Sequence, residues 1–335
     1  MSCSWLDHDP KPLFLAGPTA VGKSAIALVL ANKLQGEIIS IDSMQVYRGL
    51  RIGTAKPLDA ELRQVPHHLL DLVELNQGFN AGQFATEARR AGGEIQRRQR
   101  VPILCGGSGL YFQAILEGVG NAAPADPELR QQLETVPLPA LLEELQRRDP
   151  ESYQAIDRAN RRRVMRAVEV ARISGESALK PRSHWHRRGG SERNDQTPPA
   201  KVFFVALRRS RDDLHARIAR RVERMFEAGL VTETQELLRA ALPQSHGAWQ
   251  AIGYKQVFAY LQHECSLDAA IEAVKLRTRQ YAKRQMTWFN RQTDVQWLDL
   301  VPDETDDEVA TKISAAYRQF ASLEGVGTAG ETRKL

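Results

Sequence analysis

One octapeptide, Gly17-Pro18-Thr19-Ala20-Val21-Gly22-Lys23-Ser24, constrains this chain more than any other stretch. It fills every fixed position of the phosphate-loop pattern G-x-x-x-x-G-K-[ST]. Its flanks agree with the pattern. Leu13-Phe14-Leu15-Ala16 is a short apolar run, as a strand buried on both faces should be, and Ser24 opens a run of helix formers from Ala25 to Ala31. Strand, glycine-rich turn and helix N-terminus together make an anion cradle, because unpaired N–H groups and the positive end of the helix dipole converge there. Lys23 adds a mobile positive charge, and the Ser24 hydroxyl is a candidate ligand for Mg²⁺. The loop predicts a bound di- or triphosphate, without saying which.

The fold implied is α/β: a parallel sheet flanked by helices, like that of P-loop NTPases, carrying an α-helical insertion. After Gly36 ends the first helix, Glu37-Ile38-Ile39-Ser40-Ile41 reads as a second strand and runs into Asp42-Ser43-Met44-Gln45. Val101 to Cys105 is a third strand. It closes into Gly106-Gly107-Ser108-Gly109, a cluster that lets backbone approach a ligand. From Asp126 to Ile173 the pattern is helical, and residues 176 to 200 read as a mobile loop. Lys201 to Leu207 then restores a buried strand, so the core is expected over 1–120 and 200–320, interrupted by the insertion at 121–199. Val295 to Leu298 reads as a last strand, and a flexible tail is expected over 324–335.

Charge is uneven. The formal net charge of the 335 residues is only +5, which by itself suggests nothing. Arg158 to Arg172 is densely basic, however, and Arg217, Arg221 and Arg224 form a ladder along one helix face that Ser210 caps. Lys275, Arg277, Arg279, Lys283, Arg284 and Arg291 crowd a later helix, interleaved with Tyr281, Trp288 and Phe289. One such helix is ordinary solvated surface. Three of them beside a phosphate loop fit a polyanion, with aromatic rings available to stack on bases. Three scattered cysteines offer neither a zinc site nor a disulfide framework, and no run of about 20 apolar residues could span a bilayer. The opening residues resemble no signal peptide, so a cytoplasmic protein with no membrane partner is expected.

Asp42 admits three roles at the end of its strand. It could hold Mg²⁺ as in P-loop NTPases, take a proton from an acceptor, or make a local turn. A dedicated hydrolase would need groups that position a water, and none is evident. Group transfer is therefore preferred to hydrolysis.

The ordered motifs resemble those of one family. Gly17 to Ser24, Asp42 to Arg48, Ile52-Gly53-Thr54-Ala55-Lys56-Pro57, His67-His68-Leu69, Gly106 to Tyr111, Arg163 to Val170, Gly253-Tyr254-Lys255 and Arg279 to Trp288 occur in sequence. Together they resemble the bacterial tRNA dimethylallyltransferases (tRNA isopentenyltransferases), from about Leu13 to Trp297. Ser108 stands where the family usually has Thr, which keeps the hydroxyl, and the C-terminal zinc finger of eukaryotic relatives is not present.

The resemblance implies transfer of a dimethylallyl group from dimethylallyl diphosphate to N6 of adenosine 37 beside the tRNA anticodon, by a monomer. The diphosphate would occupy Gly17 to Ser24, with Mg²⁺ on Ser24. Asp42 would be the base, Ser108 would bond the bridging oxygen or the amine, and Arg217 or Arg221 would stabilise departing pyrophosphate. The anticodon arm would be held by Asp42, Ser43, Met44, Gln45 and Ser108, by Arg130, Arg162, Arg163, Val164, Met165 and Arg166, and by Gln250, Ala251, Ile252, Gly253, Tyr254, Lys255, Lys283 and Arg284. The target base would leave its stack to reach the donor. The rivals are a small-molecule kinase, an RNA-binding NTPase and a transferase acting on free adenylate.

Overall fold

The computed structural model describes residues 4–118, 126–175, 177–178, 202–239, 251–292 and 295–328. In chain order, β1 (Leu13–Ala16) feeds α1 (Lys23–Leu34), and β2 (Gly36–Ile41) is followed by α2 (Asp59–Gln64). A two-residue β3 (His67–His68) precedes α3 (Ala81–Arg97), β4 (Val101–Gly106) and α4 (Gly109–Glu117). Next among the described residues come α5 (Pro127–Thr135), α6 (Leu138–Arg148), α7 (Pro150–Ala155) and α8 (Arg161–Ser174). β5 (Phe203–Arg208) resumes the sheet. It is followed by α9 (Arg211–Glu227), α10 (Leu230–Arg239), α11 (Tyr254–Leu261), α12 (Leu267–Phe289), β6 (Gln296–Asp299) and α13 (Asp306–Thr328).

Among the described residues six strands run in the order β3-β2-β4-β1-β5-β6, and every pairing is parallel. β1 is central, with Leu13 opposite both Ile103 and Phe203. Alternation along β1 assigns its side chains to two faces. Leu13 and Leu15 join Ile26, Leu30, Ile218 and Ile313 in one core. Phe14 points the other way, against Phe204 at 5.4 Å between ring centroids and Phe112 at 6.1 Å. Phe289 of α12 closes that aromatic cluster, edge-on to Phe112 at 5.8 Å. Burial on both faces explains why these strands read as unbroken apolar runs. No described helix is long and apolar enough to cross a membrane.

Three sequence expectations need correction or extension. The turn after α1 is made by Gln35 in the left-handed region, φ 50°, rather than by Gly36. Gly36 already belongs to β2, where a Cβ would lie 2.8 Å from the Val101 carbonyl. β3 was not foreseen. Two residues carry too little pattern to read, and it is held where Ile38 N–H donates to the Pro66 carbonyl and His68 Nε2 meets the buried Glu37 at 2.7 Å. The tail expected from Glu324 is still helix as far as Thr328, because α13 is anchored by Val309, Ala310, Ile313 and Tyr317 in the core and elongation from such an anchor is easy. Residues 329–335 and the loop expected over 176–200, apart from Ser177 and Ala178, lie outside the described residues.

The chain divides into two compact units, Met1–Leu116 with His186–Leu335 and Glu117–Trp185. The second is a helical unit whose own core gathers Leu133, Leu141, Leu145, Val164 and Val168. Beside that core the Glu169 carboxylate is almost wholly buried. It accepts from Arg130 Nε at 2.9 Å, Arg166 at 2.7 Å and the Asp126 N–H at 3.0 Å. Burial raises its pKa, but the bonds from Arg166, Arg130 and Asp126 outweigh that and leave it lowered.

That carboxylate therefore contributes stability that is fully present above the ordinary glutamate pKa and is lost as pH falls through the depressed folded value. Glu169→Ala leaves two arginines without their partner and should cost about 3 kcal/mol. In thermal unfolding at pH 7 and at pH 4, the gap between wild type and Glu169→Gln should narrow at the lower pH.

Candidate active site

Because the strands are parallel, the segments following β1, β2, β4 and β5 all emerge at one edge of the sheet, where ligands bind in open α/β folds. The segment after β1 is the phosphate loop. Gly17 has φ 144°, and a Cβ there would lie 2.8 Å from the Leu207 carbonyl. Ala20 and Gly22 are also left-handed. Gly22 caps α1 with no side-chain bond, so the first N–H groups of the helix are not claimed by a capping side chain. The loop's carbonyls are held from behind instead. Lys23 Nζ donates to Pro18 O at 2.7 Å, Arg217 Nε to Ala20 O at 2.9 Å and Arg209 Nε to Val21 O at 2.9 Å. The Thr19 N–H donates to Gln285 Oε1 at 2.8 Å.

Burial lowers the Lys23 pKa to about 8; Arg221 lowers it further, while Cys105 and Asp42 oppose the shift. A second negative charge at the loop would favour the ammonium again. Ser24 is exposed on the first turn of α1. Its hydroxyl suits a hard cation that takes its other donors from phosphate and water.

A cavity opens beside the loop, with Thr19, Asp42, Thr54, Arg221, Tyr281 and Arg284 among its walls and Val222, Met225, Ile252 and Val274 supplying apolar surface. Asp42 Oδ1 accepts from the Met44 N–H at 2.8 Å and the Gln45 N–H at 3.3 Å, whereas Oδ2 accepts from none of the described residues. The turn-making role and a free carboxylate oxygen therefore coexist. Arg221 reaches this cavity from α9, and burial lowers its pKa against the opposing effect of Asp42. Guanidinium remains charged regardless. Arg217 shares that helix, yet its Nε is engaged with the loop backbone.

Burial, followed by the Asp42 charge, pushes the Tyr281 phenol of α12 up to about 12, with Ser108 and Gln285 among the groups acting the other way. Gln285 Nε2 donates to Gly107 O at 3.0 Å. A Cβ on Gly107 would overlap Gln285, and one on Gly109 would overlap the Trp288 ring. The glycine cluster after β4 therefore admits the close approach of a helix.

Several residues expected to hold tRNA have structural duties. Gln45 accepts from Ser40 Oγ at 2.6 Å and donates to Thr54 O at 3.1 Å and Ala55 O at 3.2 Å. Tyr254 is fully buried, its ring lies where a Cβ on Gly53 would overlap it, and it donates to Glu233. Glu233 also accepts from Ile52 N–H at 2.9 Å and Gly53 N–H at 3.3 Å, pinning the segment that carries Thr54. Burial, then Glu233, raises the Tyr254 pKa far above the ordinary phenol value. In the helical unit Val164 has no exposed surface and Met165 packs on the core, because a basic helix still needs an apolar face. Arg130 and Arg166 are tied to Glu169, whereas Arg162 and Arg163 are exposed at the start of α8. Ala251 and Ile252 line the cavity, Gly253 caps α11 at φ 101°, Lys255, Lys283 and Arg284 are exposed, and Gln250 lies outside the described residues. Arg284 rests over the Tyr281 ring at 5.7 Å.

Sequence reasoning assigned no role to Arg209, Glu233 or Gln285, and noted Tyr281 only as an aromatic on a basic helix. The Arg279 to Trp288 run contains two of them, but a motif does not tell which members face inward.

Residues 45–292 match the model of the IPP transferase family. A protein from Citrifermentans bemidjiense named tRNA dimethylallyltransferase 1 is 44% identical over 86% of this chain and 92% of that protein. The crystal structure of a full-length tRNA isopentenylpyrophosphate transferase from Bacillus halodurans is 36% identical, with a TM-score of 0.67 over 94% of this chain and 99% of that one. A eukaryotic dimethylallyltransferase, solved acting on tRNA, is 28% identical with a TM-score of 0.76, covering 93% of this chain and 79% of that one.

The depressed Lys23 value yields a binding signature. Between about 8 and the ordinary lysine value the free ammonium is partly deprotonated, and an anion in the loop restores it. Binding of an alkyl diphosphate, whose own ionisation is complete below that window, should take up a proton there. Its affinity should fall as pH rises, by at most about tenfold per unit. Calorimetry in buffers of different ionisation enthalpy reads the proton directly, and Lys23→Met should abolish the uptake.

Proposed function

The chain belongs to the IPP transferase family, and from that premise we propose that it transfers a dimethylallyl group from dimethylallyl diphosphate to N6 of adenosine 37 in tRNA, releasing pyrophosphate. The observation that carries this reading is an acid with a free oxygen, Asp42 Oδ2, in the same cavity as Arg221 and beside the anion loop. A phosphate cradle alone serves many reactions. A proton acceptor and a half-buried cation next to it suit attack by a weak nitrogen nucleophile on a carbon that bears a diphosphate.

In this step the N6–C1 bond forms while the C1–O bond breaks. The electron pair leaves on pyrophosphate, and the N6 proton passes to Asp42. Lys23 and Arg221 face the charge that grows on the leaving oxygen, in a site where burial strengthens that attraction. Arg217 keeps the loop in shape through Ala20 and completes the positive field around Gly22. The Ser108 hydroxyl, on the segment that follows β4, can orient the amine or the bridging oxygen. Met225, Ile252 and Val274 offer the apolar surface that a five-carbon chain needs.

Among the described residues no three carboxylate, histidine or cysteine side chains cluster to hold a metal. Ser24 with the diphosphate oxygens fits Mg²⁺, which keeps several waters and needs few protein ligands. When bound there the ion neutralises phosphate charge. Arg162 and Arg163 on α8 and Lys255, Lys283 and Arg284 in the core unit are exposed cations available to tRNA phosphates. As proposed, the enzyme meets tRNA in the cytoplasm and acts as a monomer.

Incubation of the purified protein with dimethylallyl diphosphate and unmodified tRNA should yield prenylated tRNA and pyrophosphate without ATP; robust ATP hydrolysis without prenyl transfer would overturn the assignment. Asp42→Asn should lower single-turnover transfer by about 10²–10⁴ with tRNA affinity little changed. A rise in the Mg²⁺ requirement as the main effect would instead make Asp42 a metal ligand. The arginines should separate as well. Arg221→Ala depresses the chemical step at saturating tRNA, whereas Arg163→Ala weakens tRNA binding and lowers its salt slope by about one unit. Identical profiles for these two variants would refute the division.

A further inference from the structure

Gln285 sits on α12, 266 residues along the chain from Thr19 and 178 from Gly107, and it bonds to both. Its side chain is buried, with only 6% of the residue exposed. The carbonyl end accepts the Thr19 N–H at 2.8 Å and the amide end donates to Gly107 O at 3.0 Å. Both polar ends of one side chain are thus used, one on the phosphate loop after β1 and one on the segment after β4. Those two segments carry the two halves of the site. Lys23 and Ser24 belong to the first and Ser108 to the second. Tyr281, a cavity wall residue, lies one helical turn earlier on the same face. Gly107 has no Cβ, which leaves room for the amide.

We infer that Gln285 is a positioning residue for the reaction, a strut that sets the distance and angle between the diphosphate loop and the Ser108 segment. This rests on the proposed prenyl transfer. The strut also divides the loop's donors. Thr19 N–H is turned toward Gln285, so the anion is left the N–H groups further along the loop and at the start of α1. An acceptor nitrogen and a leaving diphosphate must meet in line, and a displacement of about 1 Å between reacting groups can cost about 10²-fold. A strut between the two segments acts on that spacing without touching either substrate.

Gln285→Met keeps the volume and removes both bonds, whereas Gln285→Glu keeps an acceptor for Thr19 N–H and sets a carboxylate against the Gly107 carbonyl. Wild type and both variants would be compared by single-turnover prenyl transfer, donor KM, tRNA affinity and thermal unfolding. Gln285→Met should lower the transfer rate at saturating donor by about 10–10²-fold and raise donor KM, with tRNA affinity unchanged within about twofold. Gln285→Glu should be worse still toward the donor, since it adds a negative charge beside the diphosphate. The inference is overturned if the variants only unfold at lower temperature while each folded molecule transfers at the wild-type rate with the wild-type KM. It is also overturned if tRNA affinity is what falls. A wild-type protein that forms no prenylated tRNA would sink the proposed function itself, a result distinct from variants that match an active wild type.

Discussion

A backbone loop can aim its N–H groups at an anion only if its carbonyls, turned the opposite way, find partners of their own. That requirement organises the centre of this molecule. Lys23 satisfies Pro18, Arg217 satisfies Ala20 and Arg209 satisfies Val21. Arg209 is itself balanced by Asp213 at 3.0 Å. The cations around the loop therefore serve twice, as donors to carbonyls and as sources of the field that an anion meets. This explains why α9 lies where it does. Its apolar side, Leu214, Ile218 and Val222, is buried in the core, and the arginines on its flank are thereby fixed against the loop.

The same economy holds for the segment after β2. Asp42 uses one oxygen to turn the chain and keeps the other open. Gln45 and Glu233 then hold the segment that follows, which brings Thr54 to the cavity wall. Polar side chains that look like candidates for contact with a ligand are in several cases what keeps the wall in place. An RNA partner would meet the exposed cations instead, where exchange with solvent ions is easy and binding depends on salt.

The phosphate loop, its strand and its helix were legible in sequence because their signal is local, a spacing within a few residues backed by flanking periodicity. β1, β2, β4 and β5 were legible for the same reason, being apolar on both faces. Less legible were features made by residues far apart. Nothing near Gln285 marks it as the partner of Thr19, and a glutamine on a basic helix reads as solvated surface. Gly107 and Gly109 were recognised as sites of close approach, but a glycine does not reveal what approaches it. That Arg130 and Arg166 share the buried Glu169 was not legible either, because the acid is one residue within a helix dominated by arginine and its two partners stand on different helices. Val164 shows the converse, since a motif quoted whole carries its core residues along with its surface ones.

Several described glycines press against large side chains, among them Gly53 against Tyr254, Gly92 against Trp5, Gly107 against Gln285 and Gly109 against Trp288. In each pair the small member makes room that the large one fills. Such pairs have a history built into them. A mutation that shrinks the large partner leaves a void, which is costly but survivable, and only afterwards can the glycine acquire a methyl group. The reverse order passes through overlap of atoms. Drift at these positions is therefore one-way in its first step, and the two members of a pair should change together across descendants of this chain while their neighbours wander independently.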